Sequence, residues 1–189
     1  MSVLRPSVAT ALIAVSAWAV RDGHAGPVDA RIRERITELR TPERDAVVRV
    51  ATDLGSMYGV GIVAGALALS GRSSLAVRVG LSGATAWTLA QGAKPLLPRE
   101  RPYQADGAER IVVEPAGTSW PSGHAAVAAA MASTLGEGRG PLARLALSGV
   151  ACAVGLSRVY VGVHHPSDVA AGWGIGELSA RLVRRLSRR

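Results

Sequence analysis

Leu54-Gly-Ser-Met-Tyr-Gly-Val-Gly-Ile-Val-Ala-Gly-Ala-Leu-Ala-Leu-Ser-Gly71 runs for eighteen residues without a charge. A segment of that length and apolarity reads as a helix that crosses a bilayer. Working outward from it, five further apolar runs fall at 6–20, 75–93, 123–135, 142–161 and 169–183. The run at 142–161 is interrupted only by Arg144 and Arg158, near its ends. Those at 6–20, 123–135 and 169–183 are short or carry polar residues such as Glu177. The pattern predicts an all-α, polytopic membrane protein: one domain over residues 1–189, built as a bundle of six transmembrane helices. A rival reading takes residues 1–19 as a secretory leader, with Arg5, an apolar stretch and Ala17-Trp18-Ala19 as the cleavage site. It leaves a secreted helical domain, and the uncharged 54–71 run weighs against it.

The composition points the same way. The chain is 48% hydrophobic but 4% aromatic, with no phenylalanine and 22 glycines. Small residues at that density suit close helix–helix approach in a bilayer and permit homodimers. They would fill a soluble core poorly. The one cysteine, Cys152, cannot form a disulfide within the chain and is expected to be a small buried hydrophobe.

A pI near 11.1 raises the question of nucleic acid. The distribution of charge fits a membrane better, and no nucleic-acid partner is expected. An even number of helices puts both termini on one side. That side holds ten basic residues: Arg5, Arg72, Arg78, Arg139, Arg144, Arg181, Arg184, Arg185, Arg188 and Arg189. With Glu137 and Glu177 there too, it carries the whole net charge (10 − 2 = 8), because the other side balances twelve basic residues with twelve acids. Basic short loops and a basic tail place the termini in the cytoplasm.

The stretch 21–50, between the first and second runs, has seven arginines and six acids. Val28, Ile32, Ile36 and Leu39 recur within it at spacings of three or four, as on an amphipathic helix lying on a surface. Pro42 divides it into two pieces.

Three motifs then fall on the extracytoplasmic side. The first is Lys94-Pro-Leu-Leu-Pro-Arg-Glu-Arg101-Pro102. Its prolines forbid a continuous helix, so two cations sit in a structured loop where they can grip phosphate oxygens. Lys94 is the only lysine in the chain. The second is Pro121-Ser122-Gly123-His124, at the start of an alanine-rich helical run. A helix start with glycine offers free N–H groups to an anion. The third is Ser157-Arg158, then His164-His165-Pro166-Ser167-Asp168. His164 and Asp168 are four apart, so the carboxylate can orient the imidazole as a nucleophile or share a metal with it. Metal is disfavoured by Lys94, Arg101 and Arg158, which would repel a cation and hold a multiply charged anion. His165 is expected to be a neighbouring contact, and His24 to be solvated.

Together these motifs, K-x6-RP, PSGH and SR-x5-H-x3-D, resemble the type 2 phosphatidic acid phosphatase superfamily, which includes membrane lipid phosphate phosphatases. The resemblance covers residues 94–168 directly, and the Thr52-Asp53-Leu54-Gly55-Ser56 start of the second helix extends it. His165 stands where the family often has an aromatic residue.

The resemblance implies a metal-independent phosphatase with no cofactor. His164 would be the nucleophile, Asp168 its orienting acid, and His124 the proton donor to the leaving oxygen. Lys94, Arg101, Ser122, Gly123 and Arg158 would bind the phosphoryl oxygens. The expected partners are membrane lipids and a lipid phosphate or diphosphate substrate. A polyprenyl (di)phosphate or sugar-linked polyprenyl phosphate is favoured; phosphatidic acid and phosphatidylglycerol phosphate follow. Two alternatives stand beside this reading: a secreted acid phosphatase or vanadate haloperoxidase of the same superfamily, and a non-catalytic membrane protein that binds anionic lipid.

Overall fold

The structure is a computed structural model that describes residues 5–188. Residues 1–4 of the leader reading and Arg189 of the basic tail lie outside the described residues. The helices are α1 (Pro6–Arg21), α2 (Ala25–Thr37), α3 (Pro42–Ala51), α4 (Met57–Leu69), α5 (Ser73–Ala93), α6 (Pro102–Ala105), α7 (Gly123–Leu135), α8 (Pro141–Tyr160) and α9 (Pro166–Leu186). The six apolar runs become α1, α4, α5, α7, α8 and α9. They alternate in direction, so the ends of α1, α5 and α8 meet the starts of α4, α7 and α9.

Local chemistry sets the boundaries. Thr41 caps α3 by accepting from Arg44 N, and Pro42 takes the first helical position, where its missing N–H costs nothing. At the end of α4, Gly71 takes a positive φ of 77°. The amide of Arg72 then bonds back to Leu67 O and that of Gly71 to Ala68 O, closing the helix before α5 starts.

The uncharged 54–71 stretch is not one straight helix. A 3-10 turn at Thr52–Gly55 precedes Ser56, whose hydroxyl donates to Asp53 O at 2.7 Å and accepts from Gly59 N at 3.2 Å. That cap starts α4 in a new direction, 70° from the axis before it. Among the described residues, only Pro141–Tyr160 has both the length and the hydropathy of a span by itself; the bent pair Pro42–Gly55 and Met57–Leu69 would make a second. Membrane character shows instead in what faces outward. Tyr58, Ile62 and Leu69 on α4 and Leu142 and Leu145 on α8 are exposed. The inside is alanine: Ala125 to Ala130 on α7 are all buried. Large apolar groups outside and small ones inside invert the pattern of a water-soluble core.

α7 and α9 approach closely. Gly172 and Gly176, one turn apart on α9, lie against the α7 backbone, where an added Cβ would strike the carbonyl oxygens of Ser122 and Ala126. α1 docks on α9 as a member of the bundle. Ala9 is fully buried, and Ser16 donates to Ser167 O at 2.7 Å and accepts from the Trp120 indole at 2.9 Å.

One expectation needs correction. Cys152 is exposed, not buried. Ala151, one residue earlier, faces the bundle, and a step of 100° carries Cys152 to the outer face of α8. On α2, Val28 and Ile32 are exposed while Ala25 and Asp29 are buried, and Ile36, in the last turn, packs against the cluster of Tyr160, Val161 and Val163. The surface helices exist as expected; α2 turns the Asp29 carboxylate inward and leaves Val28 and Ile32 on its outer side.

Candidate active site

The three motifs meet at one end of the bundle, where α5 and α8 finish and α7 and α9 begin. Each arrives on a defined piece of backbone. Ser122 caps α7, its hydroxyl accepting from Ala125 N at 3.4 Å, and its own amide donates to Asp168 O at 3.0 Å. The second motif is thereby tied to the third. The first-turn N–H groups of α7, at Gly123 and His124, have no carbonyl four residues back to bond with, so they are available to an anion. A Cβ at Gly123 would press on the Trp87 ring at 3.1 Å. The same Trp87 meets the His124 imidazole edge-to-face at 6.2 Å.

The third motif forms a tight corner. The amides of Val163 and His164 both bond back to Arg158 O at 3.2 Å. This fixes His164 directly beyond the end of α8. Its Nδ1 lies 3.5 Å from Asp168 Oδ2, and its Nε2 lies 3.5 Å from Arg101 Nη1. One ring nitrogen thus faces a carboxylate and the other faces the cation cluster. Burial, reinforced by Arg101 and Arg158, pushes the His164 pKa down to about 4, with Asp168 opposing. At neutral pH the imidazole is neutral and keeps a lone pair.

Arg101 is 2% exposed. Its guanidinium donates to Gly117 O, Val163 O, Ala116 O and Thr118 O at 2.8–3.2 Å. Lys94 donates to the same Thr118 O. The two cations of the first motif therefore organise the 116–118 loop, and their free donors are fewer than their number suggests. Burial, then repulsion from Arg101, lowers the Lys94 pKa to about 8. Arg158 is the least committed of the three. Its Nη1 donates to Thr52 Oγ1 at 2.7 Å, and its buried Nε has no protein partner. It opens with His124 onto a cavity of about 870 Å³, rimmed by Arg49, Asp53, Glu109 and Arg110.

All eight residues singled out in the sequence stand in this one cluster. His165 is buried beside it: its amide donates to Asp168 Oδ2 at 2.8 Å, and its Nε2 lies 3.2 Å from Glu100 O. His24 is exposed and stacks near Trp18.

Several residues were not anticipated. Asp168 is fully buried and takes bonds from Ser119 Oγ at 2.5 Å and Arg99 Nη1 at 2.7 Å. Arg99 also reaches Asp29 at 2.6 Å. Thr52 receives Arg158 and Ser157. Gly55 lies under α7, where a Cβ would stand 2.6 Å from His124 O. Arg99 sits inside the first motif, at a position the spacing leaves unspecified. Asp29 is one acid among six in a charged stretch. No sequence signal separates it from the others.

An end-of-bundle cluster that faces a histidine–aspartate pair with three cations and a helix start defines a class of anion-handling helical membrane proteins. Comparison with known proteins narrows it. A sequence profile for the PAP2 superfamily matches residues 74–189, more than half of the chain. The decaprenylphosphoryl-5-phosphoribose phosphatase of Mycobacterium tuberculosis is 34% identical over 120 residues, or 63% of this chain and 65% of that protein. The match therefore spans just under two thirds of the relative's length. The fold is similar to the crystal structure of the first transmembrane PAP2 type phosphatidylglycerolphosphate phosphatase from Bacillus subtilis. That similarity has a TM-score of 0.78 at 25% identity, covering 97% of this chain and 96% of that one. Aquifex aeolicus LpxE gives a TM-score of 0.73 at 25% identity, covering 82% of this chain and 94% of that one. The chain belongs to the PAP2 superfamily, and its fold is that of an integral membrane member.

Proposed function

We propose that this protein is a membrane-embedded lipid phosphate phosphatase that works through a phosphohistidine on His164. One observation carries the reading: His164 presents one nitrogen to Asp168 and the other to Arg101, both at 3.5 Å, at the end of a helix bundle. In this mechanism Nε2 attacks phosphorus and a P–N bond forms as the bond to the leaving oxygen breaks. His124 gives that oxygen a proton. It then takes one from a water molecule that attacks the phosphohistidine, releasing inorganic phosphate and restoring His164. Asp168 holds the Nδ1 proton and stabilises the cationic ring. Lys94, Arg101, Arg158, Ser122 and the α7 amides, starting at Gly123, stabilise charge on the phosphoryl oxygens, the main source of acceleration in such a site. The mechanism needs no metal.

The preferred substrate is a polyprenyl-linked sugar phosphate. The similarity to a decaprenylphosphoryl-5-phosphoribose phosphatase supports this. So does the cavity outside His124 and Arg158, whose charged rim suits a polar group between phosphate and tail. Polyprenyl diphosphate, phosphatidic acid and phosphatidylglycerol phosphate rank below it. The six apolar helices α1, α4, α5, α7, α8 and α9 are the membrane spans, with the termini cytoplasmic and the site extracytoplasmic. The charge distribution supports that orientation, because Arg78, Glu137 and Arg184 pair at the end opposite the site and the basic tail follows.

The test is phosphate release by purified protein in detergent containing EDTA, across a panel of these lipids. Turnover of the sugar-linked polyprenyl phosphate above the others is the expected result. No release from any lipid phosphate would overturn the catalytic reading and leave an anionic-lipid-binding protein.

A further inference from the structure

Asp29 is 2% exposed on a helix whose neighbouring apolar residues, Val28 and Ile32, are 55% and 40% exposed. Burying a carboxylate while leaving valine and isoleucine outside reverses the usual preference, and it is stable only when the charge is fully paired. Asp29 is so paired. Its Oδ1 accepts from Ser167 N at 2.9 Å; its Oδ2 accepts from Ser167 Oγ and from Arg99 Nη2, both at 2.6 Å. Ser167 is the second residue of α9, and His165, at the cap position, gives the helix no side-chain cap bond. Asp29 therefore caps α9 from outside, at the turn that carries Asp168.

Arg99 completes the connection. Its Nη1 donates to Asp168 Oδ1 and to Ser167 Oγ, both at 2.7 Å. Two carboxylates share one guanidinium, so Asp29, Arg99 and Asp168 together keep one negative charge. That charge is the one His164 faces. Arg99 alone would fix Asp168 in place but cancel its field. With Asp29 on its other side, Arg99 can orient Asp168 and leave the pair electrically negative.

The geometry points to Asp29 as a positioning residue for the His164–Asp168 pair, acting through Arg99 and the first turn of α9. The charged stretch before the second apolar helix thus supports the nucleophile, and Asp29 joins Ile36 and the Arg33–Asp106 pair in holding α2 against the rest of the protein. This inference rests on the phosphatase reading above. It predicts a loss in the chemical step: a cationic phosphohistidine would form against a neutral support instead of a negative one.

The experiment compares wild type with Asp29→Asn, Arg99→Gln and the double variant, in detergent, on the lipid that wild type hydrolyses best. Thermal unfolding is followed in parallel. Asp29→Asn should lower kcat about ten- to a hundredfold, the usual scale for a group that orients a catalytic residue, with KM changed less than about threefold. Arg99→Gln leaves two buried carboxylates facing each other and should lower both stability and activity. The double variant restores one net negative charge with neutral hydrogen-bonding partners, and its kcat should exceed that of either single variant. A merely structural role gives no such recovery. Unchanged kcat in Asp29→Asn overturns the inference while wild-type turnover leaves the phosphatase reading intact. So does a double variant no better than the worse single one. Absence of wild-type turnover on every lipid overturns the phosphatase reading itself.

Discussion

His164 Nδ1 stands 3.5 Å from Asp168 Oδ2, at ion-pair rather than hydrogen-bond distance. The same oxygen takes the Ser119 hydroxyl at 2.5 Å and the His165 amide at 2.8 Å. Asp168 is thus fixed by groups other than the histidine it serves. His164 can close that gap when charge develops on its ring.

Asp168→Asn should therefore lose the reaction while still folding, at a cost of about 1–3 kcal/mol because its NH2 group meets donors where the carboxylate accepted. The asparagine amide cannot stabilise a cationic imidazole, and it can hold the wrong tautomer. The expected fall in kcat is about 10³- to 10⁴-fold, as for other aspartates behind a catalytic histidine. Phosphate release and the detergent-solubilised elution profile check the two halves of the claim. A fall of less than about tenfold would contradict it.

Beside the proton donor His124, two groups outside the spans shape the pH profile. His164 attacks as the neutral base, and its pKa is pushed down to about 4, so it is competent above that value. Lys94 binds phosphate as the cation, and its pKa is lowered to about 8, so its contribution is present below that value and lost as pH rises through it. kcat/KM, corrected for the ionisation of the substrate, should fall on the alkaline side near pH 8. Lys94→Arg, whatever its absolute rate, should move that limb upward because arginine stays charged. An unmoved alkaline limb would assign the titration to another group.

Gly55→Ala tests the seating of His124. The new Cβ would stand 2.6 Å from His124 O and 2.7 Å from Val154 Cγ1, so backbone must shift. Overpacking of this kind costs about 1–3 kcal/mol. A lowered unfolding temperature should accompany a lowered kcat. Gly61→Ala, in the same stretch but with nothing within 4 Å, should do neither.

Much of this was legible in the sequence because the features are local. Pro42 marks the division at which α3 starts, and Gly123 to Leu135 falls on the predicted apolar run. The three motifs carry their own spacings. What was not legible depends on contacts far apart in the chain. Asp29 and Ser167 are 138 positions apart, and Arg99 reaches Asp168 across 69. The bend before α4 is set by Ser56 choosing a cap over a helix interior. An apolar count over 54–71 cannot register that choice. Cys152 faces outward because, in a bilayer, an apolar run does not say which face is inside.

The most direct measurement is acid-labile phosphate on a histidine. Protein quenched in alkali during turnover of a ³²P-labelled lipid phosphate should carry label at His164. The label should accumulate in His124→Ala with a good leaving group, since His124 activates the water that removes it, and be absent in His164→Ala. Label at another residue, or a His164→Ala variant that still turns over, would contradict the assignment of His164 as nucleophile.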